Sequence, residues 1–303
     1  MSGATGEGST TVSRPQRTGA APAGTSPQTA SARIRLLTFP REHGAWGILL
    51  VPLIVGVAAG ARTANAALPL LLLTVGALAL FCLRTPIESL AGTSVTRVQS
   101  NAERRAVIMA IAAYSAVAGI SLAFLVWIER SWTLIYLGAA VGGIFLAQAL
   151  LKSFGRGMRF PAQLIGSLGL TSTSAAAYCV ATGSLNSTAL VLWAANWLFA
   201  ANQIHYVQLR IHSARATSRQ EKLTRAIPFL VGEVVLAIIL IVAWQLGYIS
   251  PLTALVFIPV LMRGLMWALS SRLAPLEVHR LGKSELAQAV VFGVLLILSL
   301  YLG

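Results

Sequence analysis

The stretch AVIMAIAAYSAVAGISLAFLVWI, from Ala106 to Ile128, runs for 23 residues without a charged side chain. A helix rises about 1.5 Å per residue, so this stretch is about 35 Å long, enough to cross a hydrocarbon core about 30 Å thick. Apolar and small residues occupy every face of that helix, whereas a helix lying on a water or lipid surface keeps one polar side. Similar runs occupy about 46–61, 66–83, 132–151, 162–182, 187–204, 227–248, 250–270 and 287–302. The first and last are short and extend back through Gly44 and Leu286. The pattern predicts an all-α polytopic membrane bundle of about nine transmembrane helices, with eight as the fallback. Composition agrees, since 56% of residues are hydrophobic, 11% are charged and mean hydropathy is +0.75. Such a chain lacks the polar surface that a soluble domain needs.

The net charge of +14 would point to nucleic acid in a soluble protein, but here the basic residues fall in alternate loops. With the N-terminus placed in the cytoplasm, Arg14, Arg17, Arg33, Arg35 and Arg41 precede the first span, and Arg84, Arg97, Arg104 and Arg105 follow the second. Later inside loops carry Lys152, Arg156 and Arg159, then Arg210 to Arg225, then Arg263 to Lys283. Of the 23 Lys and Arg residues, Arg62 and Arg130 alone fall outside. This positive-inside bias predicts an N-terminus inside, Gly303 outside and no nucleic-acid partner. The two longest inside loops, about 84–105 and 205–226, lie four spans apart and suggest two similar halves plus one helix.

Residues 1–32 are rich in Ser, Thr, Gly, Ala, Pro and Gln and are expected to form a disordered cytoplasmic tail, with the bundle occupying 33–303. The tail has no apolar core of a cleavable secretory signal. Cys82 and Cys179 sit in apolar runs near opposite membrane faces and read as buried thiols. His43, His205, His212 and His279 show no zinc-type spacing, so no metal ligands are assigned.

Three clusters could carry chemistry. Before the first span, Arg41, Glu42, His43 and Trp46 either anchor at the lipid interface or place Arg41 and His43 against an anionic headgroup. After the second, Arg84 and Glu88 stand four residues apart, either as an interfacial ion pair or as an anion clamp beside a metal ligand or base. Around the sixth, Asn196, Asn202, Gln203, His205, Tyr206 and Arg210 bring polar groups onto an apolar helix. Intramembrane amides are costly unless paired, so these face the bundle interior as interhelical bonds or as cavity lining.

The nine-span layout and the long loops after helices two and six resemble the UbiA superfamily of membrane prenyltransferases. The stretch from Phe39 through Trp46 to Pro52 and Gly56 is similar to that superfamily's opening helix. The run Pro40-Arg-Glu-His-Gly-Ala-Trp46, with Leu281, Gly282 and Glu285 later, looks like the YwiC-like family of prokaryotic membrane proteins. The superfamily resemblance implies a cavity for isoprenoid substrates and a diphosphate held through magnesium by aspartates in the two long loops. All nine acidic residues here are glutamates. If Gly92 aligns with the glycine closing the first motif, Glu88 and Thr85 stand at Asp positions, and the second region reads Asn202 to Tyr206 without a carboxylate.

The resulting expectation is a UbiA-like bundle with a cytoplasm-facing cavity for an isoprenoid or quinone-like ligand. Arg41, His43, Arg84, Asn202, Tyr206 and Arg210 are its binding candidates, and Glu88 and His205 its acid–base candidates. An active prenyltransferase using Arg, His and Glu in place of the Asp motifs is one alternative, and a small-molecule or lipid transporter is another. Magnesium enters only through the resemblance, and the cofactor is otherwise unassigned.

Overall fold

The computed structural model describes residues 27–40, 43–61, 66–94, 96–270 and 277–302. Among them every regular element is helical. Helix α1 (Pro27–Thr38) begins inside the stretch expected as tail. It is followed by α2 (His43–Gly60), α3 (Ala67–Leu90), α4 (Asn101–Glu129) and α5 (Trp132–Ser153). After a 3-10 turn come α6 (Arg159–Thr171) and α7 (Thr173–Thr182), two parts of one rod, then α8 (Ser187–Ser213) and α9 (Arg219–Gln245). Helices α10 (Pro251–Leu255) and α11 (Ile258–Leu269) form another broken rod, and α12 (Val278–Leu302) ends the described chain. Among the described residues seven rods are long and apolar enough to cross a membrane: α3, α4, α5, α6–α7, α9, α10–α11 and α12. Helix α2 is apolar but shorter, and the 27-residue α8 carries amides and imidazoles along its second half. The protein is a polytopic helical membrane bundle.

Local chemistry sets where the rods start and stop. Both long loops end in the same device: Ser100 Oγ accepts from Glu103 N at 3.2 Å, and Ser218 Oγ accepts from Glu221 N at 3.2 Å. The carboxylates reach back to Gln99 N (2.7 Å) and Thr217 N (2.8 Å), completing two capping boxes, one at the start of α4 and one at the start of α9. Helix α4 closes on Arg130 in the left-handed region (φ 46°), and α7 on Gly183 (φ 73°). The α6–α7 rod breaks at Ser172 within a Thr-Ser-Thr-Ser run whose hydroxyls bond back to carbonyls one turn earlier.

Helix α2 runs through the middle, packed on α7, α12, α6 and α8. Small residues permit this closeness. A Cβ on Gly56 would collide with the Ser174 backbone, one on Gly60 with Ala181, and one on Gly293 with Val51. Thr173 Oγ1 donates to Leu49 O (3.2 Å) across the α2–α7 contact. At the far end of the core, Phe199 stacks on Phe292 at 4.2 Å and Phe257 meets the same ring edge-on at 5.1 Å. Cross-helix bonds join the basic ends of the rods, from Arg33 to Glu103 and Arg97 O, from Lys152 to Glu88 and from Lys222 to Ser270 O. At the opposite end Tyr301 Oη donates to Ala58 O at 2.9 Å. The structure therefore has a basic end and a neutral end.

Candidate functional site

At the basic end, helices α2, α3, α5, α6, α8 and α12 surround a cavity of about 630 Å³. Its apolar lining includes Ile48, Leu170, Ile204, Val207, Ile211 and Leu281. Its polar groups are mainly carboxamides, those of Gln148, Gln163, Gln203 and Gln208, joined by Arg84, His279 and Glu285. Gln148 fills the space where a Gly166 side chain would stand, so a glycine on α6 is what admits this amide to the wall. Gln208 Nε2 donates to Gln163 Oε1 at 3.0 Å, tying α8 to α6.

Arg84 also borders a second, smaller cavity of about 210 Å³, lined by Phe39, Phe81, Thr85, Glu88 and Thr96 among others. Here Glu88 Oε1 receives Arg84 Nε at 2.9 Å and Lys152 Nζ at 2.5 Å, so α3 and α5 share one carboxylate. Pro86, one turn from the end of α3, forgoes a backbone donor where that helix meets the interface.

A different cluster lies behind the large cavity. Arg263 Nη1 on α11 donates to Glu285 Oε2 on α12 at 2.6 Å, with side-chain exposures of 13% and 3%. Arg263 Nη2 lies 3.4 Å from Asn202 Oδ1, and Asn202 Nδ2 donates to Glu233 Oε1 on α9 at 2.7 Å. The guanidinium sits 4.1 Å from the Tyr206 ring centroid, a cation–π contact that covers its apolar face. Gln203 Nε2 donates to the Glu285 main-chain oxygen at 2.7 Å. Four buried atoms of this cluster have no hydrogen-bond partner among the described residues: Gln203 Oε1, Glu233 Oε2, Glu285 Oε1 and Arg263 Nε. Buried polar atoms are normally satisfied, so their concentration in one place makes this cluster a candidate site.

The sequence candidates separate accordingly. Arg84 lines the large cavity and Glu88 the small one. Asn202, Tyr206 and Arg210 share another face of α8: Asn202 joins the buried cluster, while Arg210 Nη1 donates to Tyr206 Oη at 3.1 Å and stacks 5.6 Å from the Trp267 ring centroid. His205 packs between Phe160 and Phe229, with ring centroids 5.4 and 5.2 Å away. Arg41 lies outside the described residues; His43 opens α2, and its side chain lies outside them too. Sequence reasoning did not single out Glu233, Arg263, Gln148 or Gln163 as site residues. Glu233 could have been found, because it is the one charged residue in the run 227–248. Among the described residues no group of three His, Cys, Asp or Glu side chains comes together.

Residues 39–179 match the family model of the YwiC-like proteins, a region covering α2 to most of α7. It includes Arg84, Glu88, Gln148 and Gln163 and stops before the amides of α8. Searches of curated proteins and of solved structures returned no match.

Proposed function

We propose that this chain holds a lipidic small molecule, isoprenoid or quinone-like, in the cavity at its basic end, and that this end faces the cytoplasm. One observation carries the reading: a space of about 630 Å³ walled by aliphatic side chains and neutral amides at one end of a membrane bundle. Ligand cavities of about 300–1,000 Å³ with apolar walls and a few placed polar groups are the usual form of small-molecule sites. The isoprenoid class comes from the sequence resemblance, and the cytoplasmic assignment from the positive-inside bias.

The charge at the wall favours a neutral headgroup over a diphosphate. Among the described residues Arg84 is the lining arginine and already serves Glu88, while the Glu285 carboxyl pairs with Arg263. A diphosphate carries several negative charges and among the described residues would meet one guanidinium, the His279 imidazole, a carboxylate and amides. Carboxamides instead offer directed hydrogen bonds to uncharged oxygen functions.

The test is lipid analysis of full-length protein extracted in mild detergent, compared with two variants that fill the cavity, Ile204→Trp and Val207→Trp. A stoichiometric isoprenoid or quinone-type lipid in the wild type, lost from both variants while they remain folded, is the expected result. Equal lipid content in all three would overturn the reading. Diphosphate release from a prenyl donor in the presence of an acceptor would establish the transferase alternative in its place.

A further inference from the structure

We infer that Gln148 is the residue that receives the ligand's headgroup, its carboxamide donating to an uncharged acceptor oxygen of the kind a quinone carbonyl presents. This rests on the lipid reading of the cavity and names the point in the wall that selects among lipids.

Gln148 differs from the other amides of the cavity in what it lacks. It lines the cavity and is 6% exposed, yet its amide has no hydrogen-bond partner among the described residues. Gln203 Oε1 and Glu285 Oε1 are unpartnered too, but protein encloses both. The amide atoms of Gln148 are not enclosed in that way, so the surface they keep opens on the cavity they line. Gln163 and Gln208, by contrast, bond to each other. A buried amide is normally paired, and a methionine of similar length would fill the same seat with no polar group to desolvate. The seat is steric alone: a Cβ on Gly166 would stand 2.1 Å from Gln148 Nε2, so α6 gives the amide room and no bond.

The facing helix sets the sense of the missing bond. Helices α3 and α5 both run towards the basic end, where Lys152 on α5 reaches Glu88 on α3. Four residues earlier on each helix, one turn deeper, come Gln148 and Arg84, and both line the cavity. The two helices therefore bring a carboxamide and a guanidinium to the wall at one depth, beneath the ion pair that joins them. A guanidinium carries donors alone, whereas an amide can turn either end to its partner. An oxygen at this level is best received as an acceptor, with the Gln148 NH₂ turned towards it. Arg84 already shares its charge with Glu88, which suits the place to an uncharged oxygen rather than a phosphate. A carbonyl has two lone pairs and no proton to place.

Three probes with one tail test this: farnesyl-benzoquinone, farnesylbenzene, which lacks the carbonyls, and farnesyl diphosphate, each titrated against the full chain in lipid nanodiscs. The quinone should bind about tenfold more tightly than farnesylbenzene, the scale of one well-placed hydrogen bond. In Gln148→Met that preference should largely vanish, while farnesylbenzene binds as it does to the wild type and the melting temperature holds or rises. Gln148→Leu repeats the comparison with a second apolar shape. A variant that keeps the quinone preference would overturn the role of Gln148. So would parallel loss of stability and of affinity for both probes, the mark of a residue that only holds helices together. Equal binding of quinone and farnesylbenzene to the wild type, or tighter binding of the diphosphate, would overturn the carbonyl and leave the lipid cavity standing. Binding of none of the three, in a chain that copurifies with no lipid, would overturn the cavity reading itself.

Discussion

Two ionic clusters, one in each half of the molecule, use the same residue types to opposite effect. Around Glu88, two cations reach one carboxylate at the membrane edge, and the side chains of Arg84, Glu88 and Lys152 remain 26–32% exposed. Around Glu285, one guanidinium inside the bundle reaches the Glu285 carboxylate and the Asn202 amide, Asn202 donates on to Glu233, and four polar atoms stay unmatched among the described residues. The first cluster lies within the region that matches the YwiC-like model, and the second lies beyond it. Water and headgroups compensate the first arrangement at little cost. The second arrangement rests on its own geometry.

The sharpest way to break this contrast is Arg263→Met, which leaves Glu285 buried without its cation. It should cost about 3–5 kcal/mol, the usual penalty for removing one partner of a buried pair, measured as a loss of thermal stability in detergent. A loss under about 1 kcal/mol would place this cluster in the same energetic class as the Glu88 cluster. The next effect is smaller. Asn202→Leu takes the donor from Glu233 Oε1 and should destabilise by about 1–3 kcal/mol, read in the same assay. The smallest comes from Glu88→Gln, which weakens both bridges of the half-exposed cluster. It should cost about 1 kcal/mol or less and fade with added salt, which leaves the Arg263→Met deficit largely unchanged.

Much of the fold was legible because lipid imposes a simple rule on sequence: long uncharged runs become helices, and cations collect at their ends. The positions of α3, α4, α5, α9 and α12 followed from that rule, and so did the polar character of α8. The site was less legible. Asn202, Gln203 and Tyr206 were visible as a group, but a one-residue step along a helix turns a side chain by about 100°. Gln203 therefore enters the cavity while Asn202 and Tyr206 turn to α9 and α11. The pairing of Arg263 with Glu285 and its link through Asn202 to Glu233 joins four helices, and no local pattern in the sequence encodes which helix a charge will meet. Gln148 and Gln163 look like ordinary amides near helix ends until Gly166 brings them to a common wall.

The glycine crossings have a mechanical corollary. Gly56 and Gly60 seat α2 on Ser174 and Ala181, and Tyr301 latches α12 to Ala58, so the neutral ends of these helices act as a fulcrum. The opposite tip of α2, at Gly44 and Ala45, borders the cavity, and no neighbouring atom crowds the Gly44 position. Among the described residues α2 is thus seated tightly at the end away from the cavity and less crowded at the end that borders it.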